Sequence, residues 1–278
     1  MEKKVILITG STDGIGHQAA IELANLGHHI IVHGRNQEKS KEAMKKIARL
    51  TNNNNLNFAY ADLGVLEQIR TMANTIYENY DKLDVLINNA GVIRQERTIN
   101  QDGLEETFAI NYVAPFFLTN LLLDLLKEGT SSRIVNVVSR VHSNQFNFED
   151  LQFEKGYTAV KAYAKSKTAL ILFTYFLAEK SKVEGITVNC LHPGAINTKL
   201  FKAVNRKEGA SVQIGAKTLV YAATAYELEG ISGKYLVNNR FAPSKEITYD
   251  KGVQTTLWRK TEEIIKNAPD IHQHPEPI

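Results

Sequence analysis

Seven short runs rich in Val, Ile and Leu, separated by stretches of helical periodicity, constrain this chain more than any single motif does. The runs lie at 5–9, 29–32, 56–60, 85–87, 133–138, 187–191 and 234–237. The helical stretches lie at 15–26, 37–50, 65–80, 103–126, 159–180 and 215–225. Short strands rich in Val, Ile and Leu, each followed by a helix, indicate a parallel sheet covered on both faces. Crossovers between parallel neighbours are right-handed, and the ligand crevice of such a sheet lies at the carboxyl ends of its strands. The expected fold class is α/β: a single-domain, Rossmann-type doubly wound parallel sheet of about seven strands with helices on both faces. No repeat, linker or break in composition interrupts residues 1–278, and 258–278 is expected to form a C-terminal helix and tail.

At 278 residues, 43% apolar and 23% charged, the chain has the make-up of an ordinary soluble globule with a sizeable core. A formal charge of +3, evenly spread, gives no reason to expect nucleic acid or a membrane surface as partner. The single cysteine, Cys190, excludes an internal disulfide and reads as a small buried hydrophobe in a reducing compartment. No stretch of ~18 apolar residues occurs, and residues 1–4 lead straight into the first run, so a cytoplasmic protein with no membrane partner is expected. Asn52 to Asn55 reads as a solvated loop, the lysine-rich run 39–46 as the wet face of a helix, and His272 and His274 as part of a frayed terminus. No Cys/His/carboxylate cluster has metal-ligand spacing, so no metal is expected.

Thr9-Gly10-Ser11-Thr12-Asp13-Gly14-Ile15-Gly16 joins the first run to the first helical stretch. A glycine turn feeding a helix N-terminus offers unpaired N–H groups and the positive end of the helix dipole, both of which favour a phosphate. Glycines also let a pyrophosphate approach the backbone closely. A glycine-rich turn without a ligand has the same sequence, so the motif needs a companion.

Tyr163-Ala164-Lys165-Ser166-Lys167 supplies one. Residues four apart share a helical face, so the Tyr163 phenol and Lys167 ammonium are neighbours. A free tyrosine titrates near ~10, too high for efficient proton transfer at neutral pH, and a nearby cation lowers that value. Such a pair beside a dinucleotide is a proton donor for a carbonyl. Tyr157 and Lys161 have the same spacing, but Tyr157 follows Glu154-Lys155-Gly156, a helix-breaking context. Tyr163 is therefore the expected donor and Tyr157 its rival.

Together these motifs resemble the short-chain dehydrogenase/reductase family over nearly the whole length. Thr9 to Gly16 matches its cofactor turn, Asn88-Asn89-Ala90-Gly91 its strand-four motif, and Pro193-Gly194 its turn after strand six. Asn111, Ser139, Tyr163 and Lys167 fall where the family keeps its catalytic tetrad. Ser139-Arg140-Val141-His142, Phe148-Glu149-Asp150-Leu151-Gln152 and the wide Ser139–Tyr163 spacing are similar to the retinol-dehydrogenase-like branch. Many relatives in that branch carry an N-terminal membrane segment; none is expected here, so their retinoid substrates are not carried over.

The resemblance implies that Tyr163 exchanges a proton with the substrate oxygen and that Lys167 holds the ribose and lowers the Tyr163 pKa. It implies that Ser139 hydrogen-bonds the substrate oxygen beside Tyr163, and that Asn111 holds a water linking Lys167 to solvent. It assigns cofactor contacts to Gly10, Ser11, Thr12, Asp13, Gly14, Ile15, Gly16, Asn36, Asp62, Leu63, Asn89, Ala90, Gly91, Tyr163, Lys167, Pro193, Gly194, Ile196 and Thr198. Val32-His33-Gly34-Arg35-Asn36 lacks the carboxylate of NAD-preferring members, and Arg35 suits a 2′-phosphate, so NADP(H) is the preferred cofactor, with NAD(H) as alternative. Asp13 in the turn opposes that preference. A small carbonyl or alcohol substrate is expected under a lid at 199–215, with Leu200, Phe201 and Val204 covering it. Phe146 and Phe148 form either the opposite wall or a local core, and His192 is a candidate for facing the pocket. The expected function is hydride transfer between NADP(H) and an apolar aldehyde or ketone; the alternative is a catalytically silent NADP(H)-binding regulator. Relatives commonly associate through their long helices, so a homo-oligomer is also expected.

Overall fold

A computed structural model describes residues 3–200 and 208–268. Its strands β1 (Val5–Ile8), β2 (His29–Gly34), β3 (Leu56–Tyr60), β4 (Val85–Asn88), β5 (Arg133–Val137), β6 (Thr187–His192) and β7 (Tyr235–Val237) run parallel. Their order is β3-β2-β1-β4-β5-β6-β7. An eighth strand, β8 (Arg240–Phe241), pairs antiparallel with β7. Asn238 and Asn239 between them have φ of 52° and 59°. Two adjacent left-handed residues make the tight turn that suits a two-residue hairpin.

Strand order reverses between β1 and β4, and the carboxyl ends of these two strands open the crevice expected of a doubly wound sheet. Alternation along β1 sends Leu7 to one face and Ile6 and Ile8 to the other. The Ile6/Ile8 face is covered by α1 (Gly14–Asn25) and α2 (Gln37–Thr51), with Ala19, Ala20, Leu23 and Ile47 as contacts, and later by Val212–Thr224. The Leu7 face is covered by α3 (Leu66–Asn79) and by the helices below.

The helix expected at 103–126 is divided. It comprises α4 (Glu106–Phe108), a π-helical turn at Ala109–Val113, α5 (Ala114–Leu121) and α6 (Leu123–Lys127). Buried Glu105 starts the first piece by accepting from Thr107 N at 2.9 Å and Phe108 N at 2.7 Å. The π turn carries Asn111. The long α7 (Ala159–Lys180) is capped by the Thr158 hydroxyl and buried around most of its circumference. Next come α8 (Val212–Thr224) and α9 (Lys251–Lys266), the latter beginning at 251 rather than 258 because the Asp250 side chain caps it, accepting from Val253 N. Trp258 on α9 stacks on Phe173 of α7 with ring centroids 5.9 Å apart and also touches Phe116 and Phe176. His272 and His274 lie outside the described residues. Among the described residues no helix is long and apolar enough to cross a membrane, and no His/Cys/carboxylate group could hold a metal.

Candidate active site

The glycine turn is fastened to β4. Asn89 donates its side-chain amide to Thr9 O at 2.8 Å and Gly10 O at 3.1 Å, while Thr9 Oγ1 accepts from Asn89 N and Ala90 N. Gly10 has φ of +64°, a left-handed conformation, and a Cβ there would approach Ala90 Cα to 3.0 Å. A Cβ on Gly16 would lie 2.6 Å from Gly10 O and collide with the Asn89 amide. These glycines let the turn pack directly on the segment after β4 and leave backbone without side chains at the start of α1. A dinucleotide pyrophosphate fits such a turn, with N–H groups and the helix dipole facing it.

Within the turn, Ser11 serves the protein itself. Its hydroxyl donates to Ile8 O at 2.8 Å and accepts from His33 N, and its own N–H donates to His33 O. Asp13 caps α1 by accepting from Gly14 N at 2.8 Å and pairs with Lys199 at 2.6 Å, which holds its carboxyl below the usual range. The negative charge noted in the sequence thus has a cationic partner. On the other flank, Gly194 takes φ of +101° after Pro193. Ile196 is buried, and Ile15 and Ile196 meet where Gly215 of α8 leaves room for both. Thr198 lies across from Gly14, its Cγ2 3.8 Å from where a Cβ there would stand, so the two ends of the motif set face one another.

At the adenosine end, Arg35 is exposed just beyond β2, and Thr12 packs against Gly34. The Asn36 side chain caps α2, accepting from Lys39 N at 3.0 Å. Asp62 accepts from Gly64 N at 2.9 Å, leaving its second carboxylate oxygen free of that bond, while the Leu63 side chain is buried in the core. Sequence reasoning missed His33, which is buried at the end of β2 and accepts from Gly10 N at 3.0 Å through Nδ1. The available signal was a histidine continuing the apolar run Ile30-Ile31-Val32.

The tetrad residues converge one strand along. Ser139 follows β5, and its hydroxyl stands beside the Tyr163 phenol. Burial pushes that phenol up to about 12, and the Ser139 hydrogen bond opposes the rise. Lys167 is buried, with Nζ 5.7 Å from the Tyr163 ring centroid and donating to Val137 O at 2.8 Å. Burial lowers its ammonium to about 8. The expectation that Lys167 lowers the Tyr163 pKa is therefore corrected for the ligand-free protein, where desolvation dominates both groups. A Cβ on Gly91 would stand 3.3 Å from Asn111 Oδ1, 3.6 Å from Lys167 Nζ and 3.9 Å from Leu200 Cδ1. The strand-four motif thus runs from the glycine turn to Lys167.

Asn111 explains the π turn. Its Oδ1 accepts from Val92 N at 2.8 Å, and its Nδ2 donates to Val92 O at 2.9 Å and Ser166 Oγ at 3.0 Å. The side chain locks the segment after β4 onto α7, so any water it organises must be held by groups other than its two amide hydrogens.

Tyr157 lies before α7 and donates to Arg94 O at 3.0 Å, away from Ser139, and Lys161 is exposed. Phe146 and Phe148 meet edge to face at 5.1 Å and pack against the core. Lys165 lies over Phe153 at 4.5 Å and donates to Asp150 O, so the insertion between Ser139 and α7 has its own small core. His192 Nδ1 accepts from Arg140 N at 3.4 Å, and burial lowers it to about 4, so it is neutral. Phe201 and Val204 lie outside the described residues. Two open clefts, about 490 Å³ beside Met44 and Leu56 and about 360 Å³ beside Leu104 and Ile264, share no lining residue with the tetrad.

Residues 4–209 match the family model for short chain dehydrogenase. The chain is 40% identical over 276 residues to human polyprenol dehydrogenase, covering 93% of this chain and 84% of that protein. It is 36% identical to human retinol dehydrogenase 13, covering 99% and 88%. A solved short chain dehydrogenase from Shigella flexneri, complexed with NADP, superimposes with a TM-score of 0.69 at 26% identity, covering 86% of this chain and 98% of that one. An uncharacterized protein from Mycobacterium Paratuberculosis superimposes with a TM-score of 0.79 at 28% identity, covering 95% and 93%. The chain belongs to the short-chain dehydrogenase/reductase family, in its retinol-dehydrogenase-like branch, and is an oxidoreductase of alcohol and carbonyl groups.

Proposed function

We propose that the protein prefers NADP(H) and interconverts an apolar aldehyde or ketone with its alcohol, in the cytoplasm. The observation that carries this reading is a connected set: the Tyr163 phenol beside Ser139, Lys167 Nζ 5.7 Å from the Tyr163 ring, and Lys167 with Asn111 against Gly91, whose own segment fastens the glycine turn. Nicotinamide bound there supplies or accepts the hydride. Ser139 orients the substrate oxygen, and Tyr163 delivers the phenolic proton to it as the carbonyl is reduced. The phenolate left behind is the anionic partner that buried Lys167 lacks, so two groups that burial disfavours separately stabilise one another. In the alcohol-oxidising direction the phenolate takes the proton back.

Preference for NADP(H) is supported by exposed Arg35 at the end of β2, where residues 32–36 hold no carboxylate. An apolar substrate is supported by Leu200 beside Gly91, and by relatives named for polyprenol and retinol, both hydrophobic alcohols. Oxidation of NADPH and of NADH over a panel of apolar and polar carbonyls tests the reading, with Tyr163→Phe as control. Tight NADPH binding with no turnover on any member would favour a silent cofactor-binding protein. Faster reaction with NADH would overturn the Arg35 argument.

A further inference from the structure

We infer that His33 is a positioning residue for the cofactor turn, its imidazole acting as the side-chain acceptor that fixes the Gly10 N–H. The inference rests on the reading that this turn receives a dinucleotide. Three hydrogen bonds tie the turn to the end of β2: Ser11 N to His33 O at 2.9 Å, His33 N to Ser11 Oγ at 2.9 Å, and Gly10 N to His33 Nδ1 at 3.0 Å. Only the last uses a His33 side-chain atom. The His33 backbone is already engaged with Ser11 through both its N–H and its carbonyl, so the Gly10 N–H is met on the β2 side by the imidazole. Without the imidazole this N–H would have no partner among the described residues.

The chemistry of the ring agrees with that role. His33 is 1% exposed, and burial lowers it to about 4, so at neutral pH the ring is uncharged and Nδ1 keeps a lone pair for Gly10. The proton then sits on Nε2, which is buried without a hydrogen-bond partner. The Asp62 carboxylate, just beyond β3, opposes that lowering by favouring the charged ring, and Asp62 belongs to the expected adenine contact. The ring therefore stands between the pyrophosphate turn and the adenine side, two residues before Arg35. Accepting one backbone proton at the expense of an unsatisfied nitrogen is a local sacrifice that concentrates at functional sites.

The test compares His33→Leu, which removes the acceptor, with His33→Asn, whose Oδ1 occupies the Nδ1 position, and His33→Gln, whose amide lies farther out. NADPH dissociation constants, KM for NADPH, kcat and thermal melting are measured on each. Losing a buried acceptor predicts NADPH binding weaker by roughly tenfold to a hundredfold in His33→Leu, with KM rising in step and kcat at saturation falling far less. His33→Asn should recover binding to within about threefold of the wild type. A folded His33→Leu that binds NADPH as the wild type does would overturn the inference, as would equal affinities in the Asn and Gln variants, a comparison that stands even where the Leu variant does not fold. Wild-type protein that binds neither NADPH nor NADH would instead overturn the proposed function.

Discussion

Replacing Lys167 with Met should abolish turnover and yet stabilise the ligand-free protein at neutral pH. Burial lowers the ammonium from 10.5 to about 8, which corresponds to about 3 kcal/mol of disfavoured charge. Because the folded-state value lies below the unfolded one, the unfolded chain holds the proton more tightly between about 8 and 10.5. Stability therefore rises with pH across that window, and nearly the whole destabilisation is present at pH 7. Against this stands the 2.8 Å bond from Nζ to Val137 O, whose loss costs about 1–2 kcal/mol. The net gain for Lys167→Met is about 1–2 kcal/mol at pH 7, a rise of about 2–8 °C in melting temperature. Between pH 7 and 9.5 the wild type recovers about 2 kcal/mol, so the gap closes or inverts. Tyr163, pushed up to about 12, stays protonated throughout and does not confound the comparison. Urea titrations of both proteins without coenzyme at pH 7, 8, 9 and 9.5 measure this. A Met variant less stable than wild type at pH 7, with a difference that stays flat as pH rises, would refute the burial argument.

Three further outcomes follow from the site. Tyr163→Phe should lower kcat by about 10²–10⁴-fold while NADPH still binds, whereas Tyr157→Phe should retain most activity; the reverse ranking in steady-state assays would move the site to Tyr157. Arg35→Asp should reduce kcat/KM for NADPH by about tenfold to a hundredfold and leave NADH little changed, as read from paired coenzyme titrations. The Cys190 thiol is fully buried and its pKa is pushed far up, so alkylation followed by mass spectrometry should label it only after denaturation.

The sheet was legible because β1, β4 and β5 are short runs rich in Val, Ile and Leu, the signature of a strand buried on both faces of a parallel sheet. The glycine turn and the Tyr163/Lys167 pair were legible because each is local in sequence. What stayed hidden depends on distant partners. The break in the helix expected at 103–126 follows from Asn111 binding Val92 and Ser166, neither of which periodicity can announce. The role of His33 depends on a glycine 23 residues earlier. Strand β8 was missed although Asn238-Asn239 is a hairpin signal, because its two residues are too few to form a run. The electrostatics diverged most: adjacency on a helix made Lys167 a stabiliser of phenolate, but burial of both groups is the larger effect until phenolate or an anionic ligand is present.

Adjacency on α7 also does not say where the phenol stands relative to the sheet. Apolar contacts alone would tolerate a helix displaced along its axis, since they are non-directional. Directional bonds remove that freedom here. On β4, Asn88 donates to Asn136 Oδ1 at 2.8 Å and to Thr119 Oγ1 at 3.1 Å; on β5, Asn136 donates to Thr174 Oγ1 at 2.9 Å. Thr174 lies seven residues, about two turns, beyond Lys167, so both occupy one face of α7. Lys167 bonds Val137 O on β5, and Ser166 meets Asn111. The helix is thus pinned by three buried bonds, two to β5 through Lys167 and Thr174 and one to the π turn through Ser166. Because unsatisfied polar groups in the interior are expensive, sliding α7 by one turn would break every pin together. The geometry of the candidate site is therefore fixed by a polar ladder beneath it as much as by the four residues proposed to form it.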